Sequence, residues 1–216
     1  DAKYGSTLTA DVSGVTGNTG TLSYQWMSGN NNVGTNSSSY TITEEDIGNT
    51  IKVIVTSDVE TGNVTSAPTE VVEKADGPEA PVVTPHAPSL EGLSDGKITG
   101  TTNEMEWADN AVFTDAEACT GSEITGLEAG TYYVRFAETS TTKAGEAAVV
   151  VVPEGAEITY SISLDKADTF TFDSMVEGYL SMTPADVTIT NTGTGETGEL
   201  AVALSGANAD SFTLSV

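Results

Sequence analysis

The chain has 216 residues, of which 32 are Asp or Glu and only 7 are Lys or Arg, so its formal net charge is −25. So few cations cannot neutralise a phosphate backbone, which excludes nucleic acid as a partner. A polybasic contact with an anionic membrane is excluded for the same reason. No apolar run reaches the roughly 18 residues of a membrane-spanning helix, so no membrane insertion is expected in this sequence.

The sequence contains few of the features that usually indicate catalysis. Cys119 is the only cysteine, which rules out an intrachain disulfide, and it is interpreted as an ordinary small side chain. The only histidine, His86, lies in a proline-rich stretch, where a rigid Ser-His-Asp arrangement cannot be built. Phosphate-binding glycine loops, zinc-ligand clusters and nucleophile elbows are absent. We therefore expect no enzyme, and no catalytic, cofactor-binding or metal-binding residues.

The stretch from Ser39 to Thr56 predicts a strand, one helical turn and a second strand. Thr43 and Asp46 have the S/T-x-x-D/E spacing of a capping box, which marks the start of the turn. A capped turn between two half-buried strands is typical of a β-sandwich. The residues in the buried phase of the two strands are Tyr40, Ile42, Ile51, Val53 and Val55.

Trp26 alternates in phase with Leu22 and Tyr24 on an earlier strand. This phase favours burial in the core, as for the strand-C tryptophan of immunoglobulin-like sandwiches. The alternative is an exposed platform on which a sugar stacks.

Four prolines, at positions 78, 81, 85 and 88, separate this region from the next. Pro-rich segments stay extended and act as semi-rigid spacers. We therefore predict an Ig-like sandwich over residues 1–75 and a Pro-rich linker over residues 76–88.

A second sandwich is predicted over residues 89–154. Met105 and Trp107, together with residues 111–113, suggest a strand pair. Further along, Tyr132 starts a strand after a leucine and a glycine turn, as in the tyrosine corner of Ig and fibronectin type III folds. Tyr132, Val134 and Phe136 are expected on one face, with Tyr133 and Arg135 on the other.

A third Ig-like module is predicted over residues 155–216 from a run of short alternating strands. These 62 residues are fewer than the roughly 100 of a usual sandwich, so we expect the module to be incomplete, with an exposed strand edge. Ile158, Tyr160, Ile162 and Leu164 alternate along one face, and Phe170 and Phe172 are expected to form another inward pair. Further short strands are expected over residues 187–193, at Leu200, Val202 and Leu204, and at Phe212 and Leu214.

Three sets of motifs carry a resemblance to a known family. G-S-T-L-T-A, Y-Q-W and S-S-Y-T-I-T-E-E-D-I-G-N-T-I-K-V-I-V-T cover most of residues 4–72. E-I-T-G-L-E-A-G-T-Y-Y-V-R lies in the second module, and V-T-I-T-N-T-G in the third. Together they resemble the Ig-like and fibronectin-III-like repeats of large cell-surface proteins and adhesins of Gram-positive bacteria. The resemblance implies an all-β fold of tandem immunoglobulin-like β-sandwich modules with no catalytic residues.

The function expected from this resemblance is a non-catalytic extracellular module, structural or adhesive, of a secreted or wall-anchored bacterial protein. Its partner would be an unidentified surface ligand, protein or glycan, and the chain itself is expected to be a monomer. The alternative is a carbohydrate-binding accessory region of a secreted polysaccharide-active enzyme. That alternative requires a row of exposed aromatic side chains, for which Trp107 and Tyr133 are the candidates.

The sequence leaves two further kinds of site open. Asp109, Asn110, Asp115 and Glu117 offer oxygen ligands of the type that calcium prefers, without the spacing of a known calcium loop. Lys–Asn isopeptide cross-links occur in bacterial surface sandwiches. The conceivable donors are Lys3, Lys52, Lys97 and Lys166. The outward phase of Lys52 argues against that residue.

Overall fold

The structure is a computed structural model that describes residues 2–166, 171, 174–179, 183–207 and 209–215. Antiparallel strands dominate these residues, and two short 3-10 turns accompany them. None of the described helices is long and apolar enough to cross a membrane. The fold class is all-β, with immunoglobulin-like sandwiches in tandem, as predicted.

The first module contains two antiparallel sheets. Its strands are β1 (Thr7–Thr9), β2 (Leu22–Ser28), β3 (Asn31–Val33), β4 (Ser39–Thr41), β5 (Ile51–Ser57) and β6 (Asn63–Thr65). β1 pairs with β4, and the other four strands form a sheet in the order β3-β2-β5-β6. The buried residues between the sheets are Ala2, Trp26, Tyr40, Ile42, Ile51, Val53, Val55 and Val72.

Trp26 lies in this core, as its phase predicted. Only 3% of its surface is exposed, and its ring stacks on Tyr40 with 5.7 Å between the ring centroids. The indole N–H donates a hydrogen bond to the Ser37 carbonyl at 2.8 Å, so burial leaves its one donor satisfied. The sugar-platform interpretation of Trp26 is therefore wrong.

The predicted capping box is present at the 3-10 turn Glu44–Asp46. Asp46 Oδ2 accepts hydrogen bonds from the Thr43 backbone N–H at 2.8 Å and from the Tyr40 hydroxyl at 2.6 Å. Asp46 is only 1% exposed, and burial raises its pKa. The hydrogen bonds from Tyr40 and Thr43 outweigh that effect, so its pKa lies below the ordinary value.

The second module is a sandwich of a three-stranded and a four-stranded sheet. Its strands are β7 (Thr84–His86), β8 (Gly96–Thr99), β9 (Met105–Ala108), β10 (Glu117–Ala118), β11 (Glu123–Leu127), β12 (Gly130–Phe136) and β13 (Ala148–Val152). The sheet orders are β11-β8-β7 and β10-β9-β12-β13. The core between them consists of Ile98, Met105, Cys119, Ile124, Leu127, Val134, Val150 and Val152.

Two details of this module differ from the sequence-based picture. Residues 111–113 are not a strand, because the Asn110 side chain bonds both the N–H and the carbonyl of Thr114 and closes a loop. The range 76–88, predicted as a linker, contains β7, which pairs with β8 from Thr84 to His86. Prolines are tolerated there because β7 is an edge strand.

The third region has less regular structure than expected. Its strands β14 (Ile162–Leu164) and β15 (Ile189–Asn191) pair antiparallel. Predicted strands around Leu200–Leu204 and Phe212–Leu214 are coil, because no second sheet covers their apolar side chains in the described residues. Phe170 and Phe172 lie outside the described residues.

Replacing Tyr40 by Phe should destabilise the first module by about 2 kcal/mol, since a hydrogen bond to a buried carboxylate is lost. The matched control is Tyr24→Phe, at a half-buried tyrosine of the same sandwich, which should cost less than about 0.5 kcal/mol. Urea unfolding followed by Trp26 fluorescence in a W107F background measures both. Equal costs for the two variants would contradict the role of the Tyr40–Asp46 bond.

The first module should also lose stability in acid through Asp46. Because its folded pKa is depressed, its contribution is present above the unfolded value of about 3.9 and disappears as pH falls through the folded pKa. Urea unfolding at pH 7 and pH 2.5 should show this loss, and the loss should be smaller in Tyr40→Phe. A pH dependence that Tyr40→Phe leaves unchanged would assign the loss to other carboxylates.

Candidate functional site

The second module carries an open groove of about 530 Å³. Three segments form it: the end of β9, the loop from β9 to β10, and the corner from β11 to β12. The residues that line it are Trp107, Ala108, Asp109, Asn110, Thr114, Asp115, Glu117, Gly126, Leu127, Glu128 and Tyr132. The groove therefore combines an aromatic wall with four carboxylate side chains.

The aromatic wall consists of Trp107 and Tyr132. Their ring centroids are 5.8 Å apart and their planes are inclined by 56°. Trp107 lies directly opposite Val134, which is fully buried, so its ring belongs to the core-facing side of the sheet. Both rings are half-buried and pack against the second core from the groove side.

Tyr132 also forms the predicted tyrosine corner. Its hydroxyl donates a hydrogen bond to the Glu128 carbonyl at 3.1 Å, four residues upstream. Burial raises the pKa of Tyr132, and the negative charges of Glu128 and Asp109 raise it further.

A bulge precedes the corner, at the edge of the groove. The pairing of β11 with β8 shifts register between Thr125 and Leu127. Gly126 lies at the shift with φ +80°, a left-handed conformation that favours glycine.

The carboxylates come from two segments of the chain. Asp109, Asp115 and Glu117 follow β9, and Glu128 follows β11. Glu128 Oε1 accepts a hydrogen bond from Ser94 Oγ at 3.1 Å. Among the described residues, no three His, Cys, Asp or Glu side chains form a group that could hold a metal ion. The calcium suggestion for Asp109–Glu117 gains no support from this geometry.

The opposite face of the same sheet holds a cation instead. Arg135 lies beside Glu106, with Nε 2.7 Å from a carboxylate oxygen. Its guanidinium carbon is 3.8 Å from the centroid of the Phe113 ring. Phe113 is buried with φ +55°, a strained conformation for this residue that turns its ring back under the arginine.

Trp107 and Tyr133, the two aromatics required for a sugar-stacking row, do not share a face. Trp107 is opposite Val134, whereas Tyr133 is opposite Ala108, and neighbouring positions of a strand point to opposite sides. The row expected for the carbohydrate-binding alternative is not formed by these two residues.

The remaining residues considered in the sequence lie apart from the groove or within the core. His86 is on β7, where its Nε2 is 3.1 Å from Thr99 Oγ1. Cys119 is buried, and burial raises its pKa, so its thiol is less reactive than a free one. Lys3 forms an ion pair with Asp76 at 2.6 Å, and Lys97 forms one with Glu123 at 3.1 Å.

The sequence indicated Trp107 and the acidic loop as candidates. It did not predict that Glu128 and Tyr132 line the same groove. Glu128 is between 11 and 19 residues from the other three carboxylates in sequence, and only the sandwich topology brings the two segments together. The tyrosine corner in L-E-A-G-T-Y is the signal that could have indicated it, because that motif fixes the carbonyl of Glu128 beside Tyr132.

No known protein-family model and no curated protein matches the sequence. Among solved structures, the chain is similar to the chicken CNTN1 FN1–FN3 domains, with 10% identity and a TM-score of 0.24 over 66% of this chain and 61% of that one. It is also similar to the mouse nectin-like molecule 4 ectodomain, Ig1–Ig3, with 11% identity and a TM-score of 0.21 over 62% of this chain and 55% of that one. The chain thus spans less than two thirds of either structure, and the assignment of the fold rests on the strand order described above.

Replacing Tyr132 by Phe should destabilise the second module by about 1 kcal/mol, because the hydroxyl bond of the corner is lost. Tyr133→Phe, at the next position of the same strand, is the control and should cost less than about 0.5 kcal/mol. Chemical denaturation monitored by the NMR signal of the Trp107 indole measures both. If Tyr133→Phe costs as much as Tyr132→Phe, the corner does not act as described.

Proposed function

We propose that this chain is a non-catalytic, extracellular, structural and adhesive region of a bacterial surface protein. Its Ig-like modules form a stiff stalk that presents binding surfaces away from the cell. One observation carries the proposal: the segment over residues 72–78 pairs through its backbone with both of the first two modules. This pairing replaces the flexible linker that independently moving modules would need.

On the side of the first module, the segment runs parallel to the start of the chain. The Tyr4 N–H donates to the Glu73 carbonyl, and the Glu73 N–H donates to the Ala2 carbonyl, both at 2.9 Å. The adjacent Val72 is 1% exposed and belongs to the first core. The segment is therefore anchored to this sandwich by packing and by backbone bonds.

On the side of the second module, the same segment runs parallel to residues 141–146. The Ala75 N–H donates to the Thr141 carbonyl, and the Lys143 N–H donates to the Ala75 carbonyl, both at 2.9 Å. A further bond of 2.9 Å joins the Glu146 N–H to the Pro78 carbonyl. Only one residue, Lys74, separates the two anchored regions.

Gly77 allows this close approach. A Cβ added to Gly77 would collide with the backbone of Ala144 and lie 2.7 Å from the Cα of Gly145. Backbone cannot give way as a flexible side chain can, so any larger residue would separate the segment from the second module.

Ion pairs surround the same segment. Three of the chain's seven cations lie here: Lys3 is 2.6 Å from Asp76, Lys74 is 2.6 Å from Glu138, and Lys143 is 2.5 Å from Glu73. Each pair is partly exposed and contributes little free energy alone. In a chain of net charge −25, however, their concentration at one joint reduces the repulsion between the acidic modules.

Substituting Gly77 by Ala should loosen the joint, and Gly14→Ala is the matched control because a Cβ at Gly14 meets nothing within 4 Å. Spin labels at Thr61→Cys and Thr125→Cys, one exposed site in each module, report the distance between the modules by double electron–electron resonance. We expect a narrow distance distribution for the parent and for Gly14→Ala. For Gly77→Ala we expect a width increased about twofold or more, because the anchoring bonds are lost.

A broad distribution in the parent protein would overturn the stiff-stalk proposal. A narrow distribution that Gly77→Ala leaves unchanged would assign the stiffness to other contacts. Thermal unfolding of Gly77→Ala should leave the Trp26 signal of the first module unchanged, which separates loosening of the joint from loss of folding.

A further inference from the structure

The second module already contains one arginine that is held between an aromatic ring and a carboxylate. On one face of the four-stranded sheet, Arg135 lies over the Phe113 ring and donates a charge-assisted hydrogen bond to Glu106. An aromatic face and a carboxylate together suit a guanidinium, which is planar, weakly hydrated and rich in donors.

The groove on the other face presents the same two components without a cation. Trp107 and Tyr132 supply the aromatic faces, and Asp109, Asp115, Glu117 and Glu128 supply the carboxylates. In the described part of the chain, no ion pair involves any of these four side chains. Their hydrogen bonds are those from Asn110 Nδ2 to Asp109 and from Ser94 Oγ to Glu128.

We propose that this groove is a binding site for an arginine side chain on a basic segment of a partner polypeptide. The guanidinium stacks on Trp107 while its N–H groups bind the carboxylates of Glu128 and Glu117. Tryptophan is the aromatic ring that attracts a cation most strongly. The proposal concerns one groove of the second module and does not depend on the stalk function.

Charge complementarity selects this occupant over others. An acidic groove repels anionic sugars and acidic peptides. The hydroxyls of a neutral glycan can donate hydrogen bonds to the four carboxylates but do not balance their charge, whereas a guanidinium does both. A metal ion finds no group of three ligands among the described residues. A lysine ammonium is a compact, strongly hydrated charge that stacks less well and cannot bind a carboxylate in bidentate fashion.

The test is an NMR titration of the full chain, labelled with ¹⁵N, at physiological ionic strength. The probe is the peptide acetyl-Gly-Arg-Gly-Arg-Gly-amide, compared with analogues that carry citrulline or lysine in place of arginine. The Trp107 indole N–H reports the groove. The Trp26 indole N–H, which is buried and bonded to Ser37, serves as the internal reference for folding.

Two variants with equal changes in net charge separate the site from general attraction. Asp109→Asn, Glu117→Gln and Glu128→Gln are combined to neutralise the groove. Glu70→Gln, Glu79→Gln and Glu154→Gln are combined as the control, at exposed sites outside the groove.

We expect the arginine peptide to shift the Trp107 signal and to leave Trp26 unchanged. Its affinity should fall about tenfold or more with citrulline or in the groove variant, since charge-assisted bonds are lost. The control variant should change affinity by less than about twofold, because its three exposed carboxylates do not line the groove and exposed charges interact weakly in water and salt.

Several results would overturn the proposal. Equal binding of the citrulline or lysine analogue would show that the groove does not recognise the guanidinium group. An equal loss of affinity in the control variant would show that the net charge of the chain, and not the groove, attracts the peptide. A Trp107 shift caused by calcium or by a neutral oligosaccharide, with none caused by the arginine peptide, would assign the groove to that ligand instead.

Discussion

Backbone hydrogen bonds along residues 72–78 are the constraint on which the arrangement of the first two modules depends. Each N–H and carbonyl removed from water requires a partner, and this segment finds partners first in one sandwich and then in the other. The ion pairs of Lys3, Lys74 and Lys143 add to these bonds but do not replace them, because exposed pairs are weak. The absence of a side chain at Gly77 is what makes the approach sterically possible.

In each of the first two sandwiches, a side-chain hydrogen bond fastens a loop. The first sandwich is closed by the capped turn at Asp46, whose carboxylate ties the turn to Tyr40 in the core. The second is closed by the tyrosine corner at Tyr132, which fixes the loop that carries Glu128. In the second case the closing device also builds one wall of a groove, so a structural motif and a candidate binding surface share residues.

Local patterns were sufficient to predict much of this from the sequence. The alternation around Trp26, the capping box at Thr43 and the tyrosine corner were all correct, because each depends on residues close together in the chain. The pairing of residues 72–78 was not predicted, because prolines further along suggested a linker and parallel pairing leaves no local signature. The module boundaries themselves stay a prediction. Strands expected around Leu200–Leu204 were wrong, because alternation alone does not supply a covering sheet.

Residue-resolved amide hydrogen exchange at Ala75, Lys143 and Glu146 tests most directly whether the joint is a paired strand. Their N–H groups bond to the Thr141, Ala75 and Pro78 carbonyls, so these amides should be protected to a degree similar to amides at the strand edges of the two sandwiches. Exchange at the rate of an unstructured peptide would contradict the account. It would show that residues 72–78 act as a free linker and that the two modules move independently.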